Sequence, residues 1–156
     1  MLTSFERWGI RPNGEGDVGF DGDVTVGGTV SAAGLTDTTI IADASFTIGA
    51  ENTNVRNIAI QLKNSAGDDL DFVAGVFVAV FANAARTAFA TGGSTGIAIG
   101  TDGALIAVVA KKLFFLTCEA DGDIDLTWTD TGTEAVYLGV MLPNGRWVMS
   151  AVIANT

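Results

Sequence analysis

Histidine is absent from this chain of 156 residues, and cysteine, tyrosine and proline are scarce, at one, one and two copies. Without histidine there is no Ser/His/Asp or Cys/His catalysis and no imidazole ligand for catalytic zinc. The single cysteine, Cys118, excludes an internal disulfide framework and fits a reducing compartment. It closes the apolar run Leu113 to Cys118 and reads as a small buried hydrophobe rather than a nucleophile. Bases are also few, 8 against 18 acids, for a net charge of −10. Lys111-Lys112 is the only adjacent basic pair, little to release counterions from a phosphate backbone, so no nucleic-acid partner is expected. No apolar run approaches the roughly 18 residues that span a bilayer, so no membrane association is expected. The opening Met1-Leu2-Thr3-Ser4-Phe5-Glu6-Arg7-Trp8 shows neither the basic nor the apolar region of a secretory signal. The expectation is a soluble protein made in the cytoplasm.

What the chain does have is glycine, 20 residues of it, and a strict alternation over residues 18 to 33. Val18, Phe20, Val24, Val26, Val30 and Ala32 fall on even positions, while Asp21, Asp23, Thr25, Thr29 and Ser31 fall on odd ones. A period of two predicts a strand with one apolar face. Gly19, Gly22, Gly27 and Gly28 weaken it as an isolated element. Such a ribbon becomes stable by lying on another surface or by winding with copies of itself. Val18, Phe20, Val24, Val26 and Val30 are therefore the candidate oligomerisation residues.

Composition divides the chain into three zones. Residues 1–17 carry an aromatic cluster, two arginines and a Pro-Asn-Gly turn, and read as an anchoring tail. Residues 18–54 read as an extended glycine-rich arm, with short β-prone pieces at Thr38 to Ile41 and Ser45 to Ile48. From Val55 to the end, strands dense in Val, Ile and Phe alternate with turns every eight to twelve residues. Ile58, Ile60 and Leu62 alternate with Asn57, Ala59 and Gln61; Ile124, Leu126 and Trp128 alternate with Asp125, Thr127 and Thr129. Leu70 to Phe81 is apolar on both parities. Its β-branched and aromatic content favours a buried strand over a helix. Pro143-Asn144-Gly145-Arg146 is the strongest hairpin signal, expected as a type I′ turn at Asn144-Gly145. About eight strands and no convincing helix describe an all-β fold, an antiparallel β-sandwich or barrel behind a glycine-rich N-terminal β arm.

Few residues suggest chemistry. Gly92-Gly93-Ser94-Thr95-Gly96 lacks the lysine that would reach a phosphate and reads as a flexible loop. Asp121, Asp123 and Asp125 form D-x-D-x-D, but the sixth and twelfth positions of an EF-hand loop fall on Leu126 and Gly132 instead of Gly and Glu. They read as the wet end of a strand, and Asp68, Asp69 and Asp71 as solvated acids after a turn. No catalytic residue, metal site or cofactor is expected. The tail is more informative. Phe5, Trp8 and Ile10 are large apolar groups outside the main domain, flanked by Arg7 and Arg11, the composition of an interface anchor. Trp128, Tyr137 and Trp147 are the aromatic residues for a carbohydrate-stacking alternative, with Trp128 expected in the core and Trp147 the best exposed.

The stretches Asn57-Ile58-Ala59-Ile60-Gln61-Leu62-Lys63, Gly96-Ile97-Ala98-Ile99-Gly100-Thr101-Asp102-Gly103, Glu119-Ala120-Asp121-Gly122-Asp123-Ile124-Asp125 and Leu142-Pro143-Asn144-Gly145-Arg146 carry a resemblance. Over Asn57 to Ile153 the chain resembles a small all-β domain that recurs in structural proteins of tailed bacteriophages. The preceding Phe20-Asp21-Gly22-Asp23-Val24-Thr25-Val26-Gly27-Gly28-Thr29-Val30 is similar to trimerising β segments of phage fibres and head appendages. The resemblance implies a non-enzymatic virion component: a decoration or cement protein on the outer capsid surface, trimeric, with the major capsid protein as partner. The alternative it leaves open is a tail-fibre or head-fibre module that binds host-surface carbohydrate.

Overall fold

A computed structural model describes residues 10–12, 18–20 and 38–156. Contacts divide the chain into two units, Met1–Leu35 and Thr36–Thr156. In the first, β1 (Ile10–Pro12) and β2 (Val18–Phe20) pair antiparallel, with Ile10 opposite Phe20, Arg11 opposite Gly19 and Pro12 opposite Val18. The tail and the arm, read from sequence as separate zones, thus meet in one hairpin. Phe5, Arg7 and Trp8 of the expected anchor, and Val24, Val26 and Val30 of the expected ribbon, lie outside the described residues.

The second unit is a sandwich of two antiparallel sheets, with no helix among the described residues. Its strands are β3 (Asp43–Asn52), β4 (Val55–Lys63), β5 (Gly75–Phe81), β6 (Gly96–Ile99), β7 (Ala104–Val109), β8 (Leu113–Thr117), β9 (Asp123–Thr129), β10 (Tyr137–Met141) and β11 (Trp147–Met149). One sheet has the order β3-β4-β9-β6, the other β11-β10-β5-β8-β7. Nine strands, one more than expected, result because β3 belongs here. Residues 43–52, assigned from sequence to the arm, pair with β4 from Asp43 opposite Lys63 to Asn52 opposite Val55. The division therefore falls after Leu35, not after residue 54.

A boundary at residue 54 would cut through the β3–β4 hairpin, whose two loop residues, Thr53 and Asn54, have φ of 51° and 66°. This is where the paired positive φ angles of a type I′ turn occur. The Asn54 carbonyl is held by the Asn155 side-chain amide at 2.6 Å and by the Asp130 N–H at 3.0 Å, which favours the strained geometry. The expected type I′ turn at Asn144-Gly145 is instead a three-residue loop. Gly145 has φ +80° and donates its N–H to Leu142 O, while Asn144 keeps a negative φ and its carboxamide oxygen accepts the Arg146 N–H. Pro143 presets the first turn position, so only the closing residue needs the left-handed region that glycine occupies without strain.

The core follows the alternation. Ile58, Ile60 and Leu62 of β4, and Ile124, Leu126 and Trp128 of β9, are at most 1% exposed and face Val76, Val78, Val80, Phe114, Leu116, Leu138 and Val140 of the other sheet. Burial of each such side chain contributes on the order of 1.5–3 kcal/mol. The intervening positions of β4 and β9 (Asn57, Ala59, Gln61, Asp123, Asp125, Thr127, Thr129) form a polar outer face. Below it the chain end is pinned. Arg56 donates to Ala154 O at 2.7 Å and to Gly49 O at 3.0 Å, and Thr156 N–H donates to the Glu51 carboxylate at 2.7 Å.

Candidate functional site

The outer face of the five-stranded sheet is apolar, unlike that of its partner sheet. The run Leu70 to Phe81, expected as one buried strand, is a strand only from Gly75, because the preceding residues cross between sheets; Leu70 N–H bonds to Leu62 O and Cys118 N–H to Ala74 O. Even positions of β5 fill the core, but Phe77 on the other face is 37% exposed. The registers align Trp147, Met141, Phe77, Phe115 and Ile106 in one row across β11, β10, β5, β8 and β7. Phe77 and Phe115 meet edge to face at 5.3 Å, a favourable arrangement of ring quadrupoles. The Phe115 ring also covers Gly75, where an added Cβ would lie 2.4 Å from its Cζ.

Beside this row lies a pocket of about 650 Å³ lined by Phe77, Phe81, Phe89, Met141, Trp147 and Arg86, among others. Phe81 organises it, stacking on Phe89 at 5.6 Å and meeting Trp147 edge on at 5.3 Å. Gly139 makes room for that pair: a Cβ there would sit 2.9 Å from Trp147 and 3.0 Å from Phe81. Arg86, with φ 62°, brings the only charged group among the described residues of the lining. The three aromatic residues singled out from sequence separate accordingly. Trp128 is fully buried in the core, Trp147 is half-buried in the pocket wall, and Tyr137 is half-buried opposite Phe81. Phe77, Phe89, Phe115 and Ile106 were not singled out. For Phe77, Phe115 and Ile106 the signal was the apolar character of β5, β7 and β8 on both parities, which marks two buried faces or one core and one docking face without saying which; Phe89, in the loop after β5, had none.

Two polar constructions accompany this surface. The Gly92–Gly96 stretch, expected as a flexible loop, is a cradle for a carboxylate of its own chain. Glu134 accepts the N–H groups of Thr91 at 2.7 Å, Gly92 at 3.1 Å and Gly93 at 2.8 Å. Buried Asp130 accepts those of Ser94, Gly132 and Glu134, and Lys111 Nζ donates to the carbonyls of Gly93 and Ser94 at 3.1 and 2.8 Å. Burial alone would raise the Glu134 pKa, but the hydrogen bonds from Thr91, Gly93 and Gly92 together outweigh it and hold it below the ordinary glutamate range. The second construction is acidic. Carboxylate oxygens of Asp102, Asp123 and Asp125 lie within 4.8 Å of one another, the grouping among the described residues that could hold a divalent cation by distance. The Thr101 hydroxyl donates to Asp125. Asp121, expected to share the wet strand end with Asp123 and Asp125, is not in the trio, and Asp102 from the β6–β7 turn takes its place. Burial, then the charges of Asp125, Asp121 and Asp102, raise the Asp123 pKa against the pull of the Ile124 N–H.

Cys118 is buried, accepts the Ala74 N–H at 3.2 Å, and has its pKa raised chiefly by burial. A thiol held protonated in this way is a poor nucleophile at neutral pH. No protein-family model, no curated protein and no solved structure matches the chain.

Proposed function

We propose that this protein works by attachment rather than catalysis, as a structural component of a bacteriophage particle, a decoration protein on the outer capsid surface. The observation that supports this reading best is the apolar outer face of the five-stranded sheet, on which Phe77 and Ile106 are exposed among the described residues. Monomeric soluble proteins rarely expose a contiguous apolar patch of this kind, and a chain of net charge −10 presents it against an otherwise acidic, solvated exterior. In this reading Phe5, Arg7, Trp8, Ile10 and Arg11 anchor the chain on the major capsid protein, and the ribbon that starts at Val18 and Phe20 assembles copies into a trimer, multiplying weak anchors through effective concentration. A ligand that binds only the assembled shell stabilises it by mass action.

The carbohydrate alternative draws on Trp147, whose ring lines the pocket. It is disfavoured by the lining, whose described residues are apolar or aromatic apart from Arg86, where a sugar would need several donors and acceptors. The test is to delete residues 1–17 and mix the protein with purified particles. Loss of coating from a folded protein supports the anchor, and undiminished coating overturns it. Glycan binding abolished by Trp147→Ala would support the carbohydrate reading instead.

A further inference from the structure

Bases are few in this chain, and the fold engages most of those it positions. Among the described residues Arg56, Lys63, Lys111 and Arg146 each donate to an acceptor of their own chain at 2.7 or 2.8 Å. The side chains of Arg86 and Lys112 make no hydrogen bond or ion pair with the described residues. Lys112 stands outside the aromatic pocket, whereas Arg86 lines it, with no carboxylate among the described residues of the lining to neutralise it. In a chain of 18 acids against 8 bases, an arginine left facing an apolar pocket without an acid calls for a partner from outside.

The loop that carries Arg86 is closed by its own bonds and strained at that residue. Phe81 and Phe89 pair across its base, Ala82 N–H bonds to Ala88 O at 3.0 Å, Arg86 N–H bonds to Asn83 O at 3.0 Å, and the Asn83 side chain donates to the Thr87 hydroxyl at 2.8 Å. Arg86 sits in this turn with φ 62°, a conformation that glycine or asparagine adopts more readily. Backbone strain of this kind gathers at ligand clamps, where the surrounding bonds hold it in place. One loop therefore supplies both the cation and Phe89, a wall of the pocket that is 51% exposed.

We infer that the pocket binds a small aromatic carboxylate, its ring among Phe77, Phe81, Phe89 and Trp147 and its carboxylate on the Arg86 guanidinium. The volume of about 650 Å³ suits such a ligand, since small-molecule pockets run from about 300 to 1,000 Å³ and are mostly apolar, with few polar groups that fix orientation. Walls made of rings suit a flat ring, through the stacked and edge-on contacts that Phe81 already makes with Phe89 and Trp147. The lone cation selects the head group, because a guanidinium takes a carboxylate through two parallel N–H bonds. The protein's net charge of −10 opposes an anion only at a distance, and beyond about 8 Å it is screened at physiological ionic strength. This site needs neither the tail nor a capsid.

The probe is 1-anilinonaphthalene-8-sulfonate, an aromatic anion whose fluorescence rises in apolar surroundings, with N-phenyl-1-naphthylamine as its uncharged counterpart. The full-length protein is expected to bind either one saturably, with one molecule per chain. Arg86→Gln should weaken the sulfonate on the order of tenfold, the loss of one charge-assisted contact, and leave the naphthylamine nearly unchanged. Phe89→Ala, which removes a wall, should weaken both. Sulfonate binding that either substitution leaves intact overturns the site. Displacement tests the head group: 2-naphthoate should displace the sulfonate at concentrations where 2-naphthol and acetate leave it bound, and equal displacement by 2-naphthol overturns the carboxylate. Arg86→Gly separates binding from folding. It eases the left-handed backbone, so it should melt no lower than the parent while losing the sulfonate. A lower melting temperature would show that the side chain serves the loop, and would overturn its assignment to a ligand. Coating of particles by the tail-deleted protein would overturn only the capsid anchor, so the two readings fail separately.

Discussion

Glu134 and Asp123 are two carboxylates that the fold treats in opposite ways, and acid should tell them apart. Glu134 has a lowered pKa, because the hydrogen bonds from Thr91, Gly93 and Gly92 exceed the cost of burial. A group depressed on folding stabilises the native state above its unfolded pKa, about 4.3 for glutamate, and loses that contribution as pH falls through its folded value. Glu134→Ala should therefore cost about 1–3 kcal/mol at pH 7. In urea titrations the gap from the parent protein should narrow below about pH 4.3; a gap independent of pH would show that the carboxylate charge does not matter. Asp123 has a raised pKa, from burial and then from Asp125, Asp121 and Asp102. Its ionised form opposes folding, so Asp123→Asn should raise the melting temperature at pH 7, with the gain vanishing once acid protonates the parent carboxyl. An unchanged or lowered melting temperature at pH 7 would count against repulsion within the trio. Neither role is legible in the sequence, which shows D-x-D-x-D and a glycine-rich loop; Asp102 reaches Asp123, and Glu134 reaches Gly92, only through the fold.

At the scale of elements, glycines separate turns set by local conformation from turns set by packing. At Gly145, with φ +80°, an added Cβ would meet nothing within 4 Å, so Gly145→Ala should cost only the left-handed backbone penalty, about 1–2 kcal/mol. Gly103, at φ +91°, would place a Cβ 2.6 Å from Thr117 O, and Gly103→Ala should cost distinctly more because backbone must move as well. Comparable unfolding midpoints for the two variants would show that the β7–β8 pairing absorbs the clash. Strands β4 and β9 were legible because one face of each is wet: their alternations match their burial position by position. Where both parities are apolar, as in β5 and β8, the sequence shows a strand and conceals which face enters the core and which lies on the outer side of the sheet. The type I′ turn was misplaced for a related reason. Asn144-Gly145 has the favoured residues, yet Thr53-Asn54 adopts the geometry because Asn155 and Asp130, remote in sequence, hold it.

For the whole molecule, the division after Leu35 has a direct test. Residues 36–156 alone should fold and unfold cooperatively in urea, whereas a chain starting at Val55 should not fold, since it lacks β3 and with it Ala44, Phe46 and Ile48 of the core. A folded product from the shorter chain would mean that β4 can serve as an edge. By itself the sequence determined the all-β class and the inward parity of β4 and β9, because these depend on a period of two that neighbouring residues carry. Only the tertiary structure decided that β3 joins the sandwich, that Glu134 fills the glycine loop, and that one sheet is polar outside while the other carries an apolar row on its outer face. Those outcomes rest on which distant strands pair and in what register, and a chain read locally holds no record of its neighbours across the sheet.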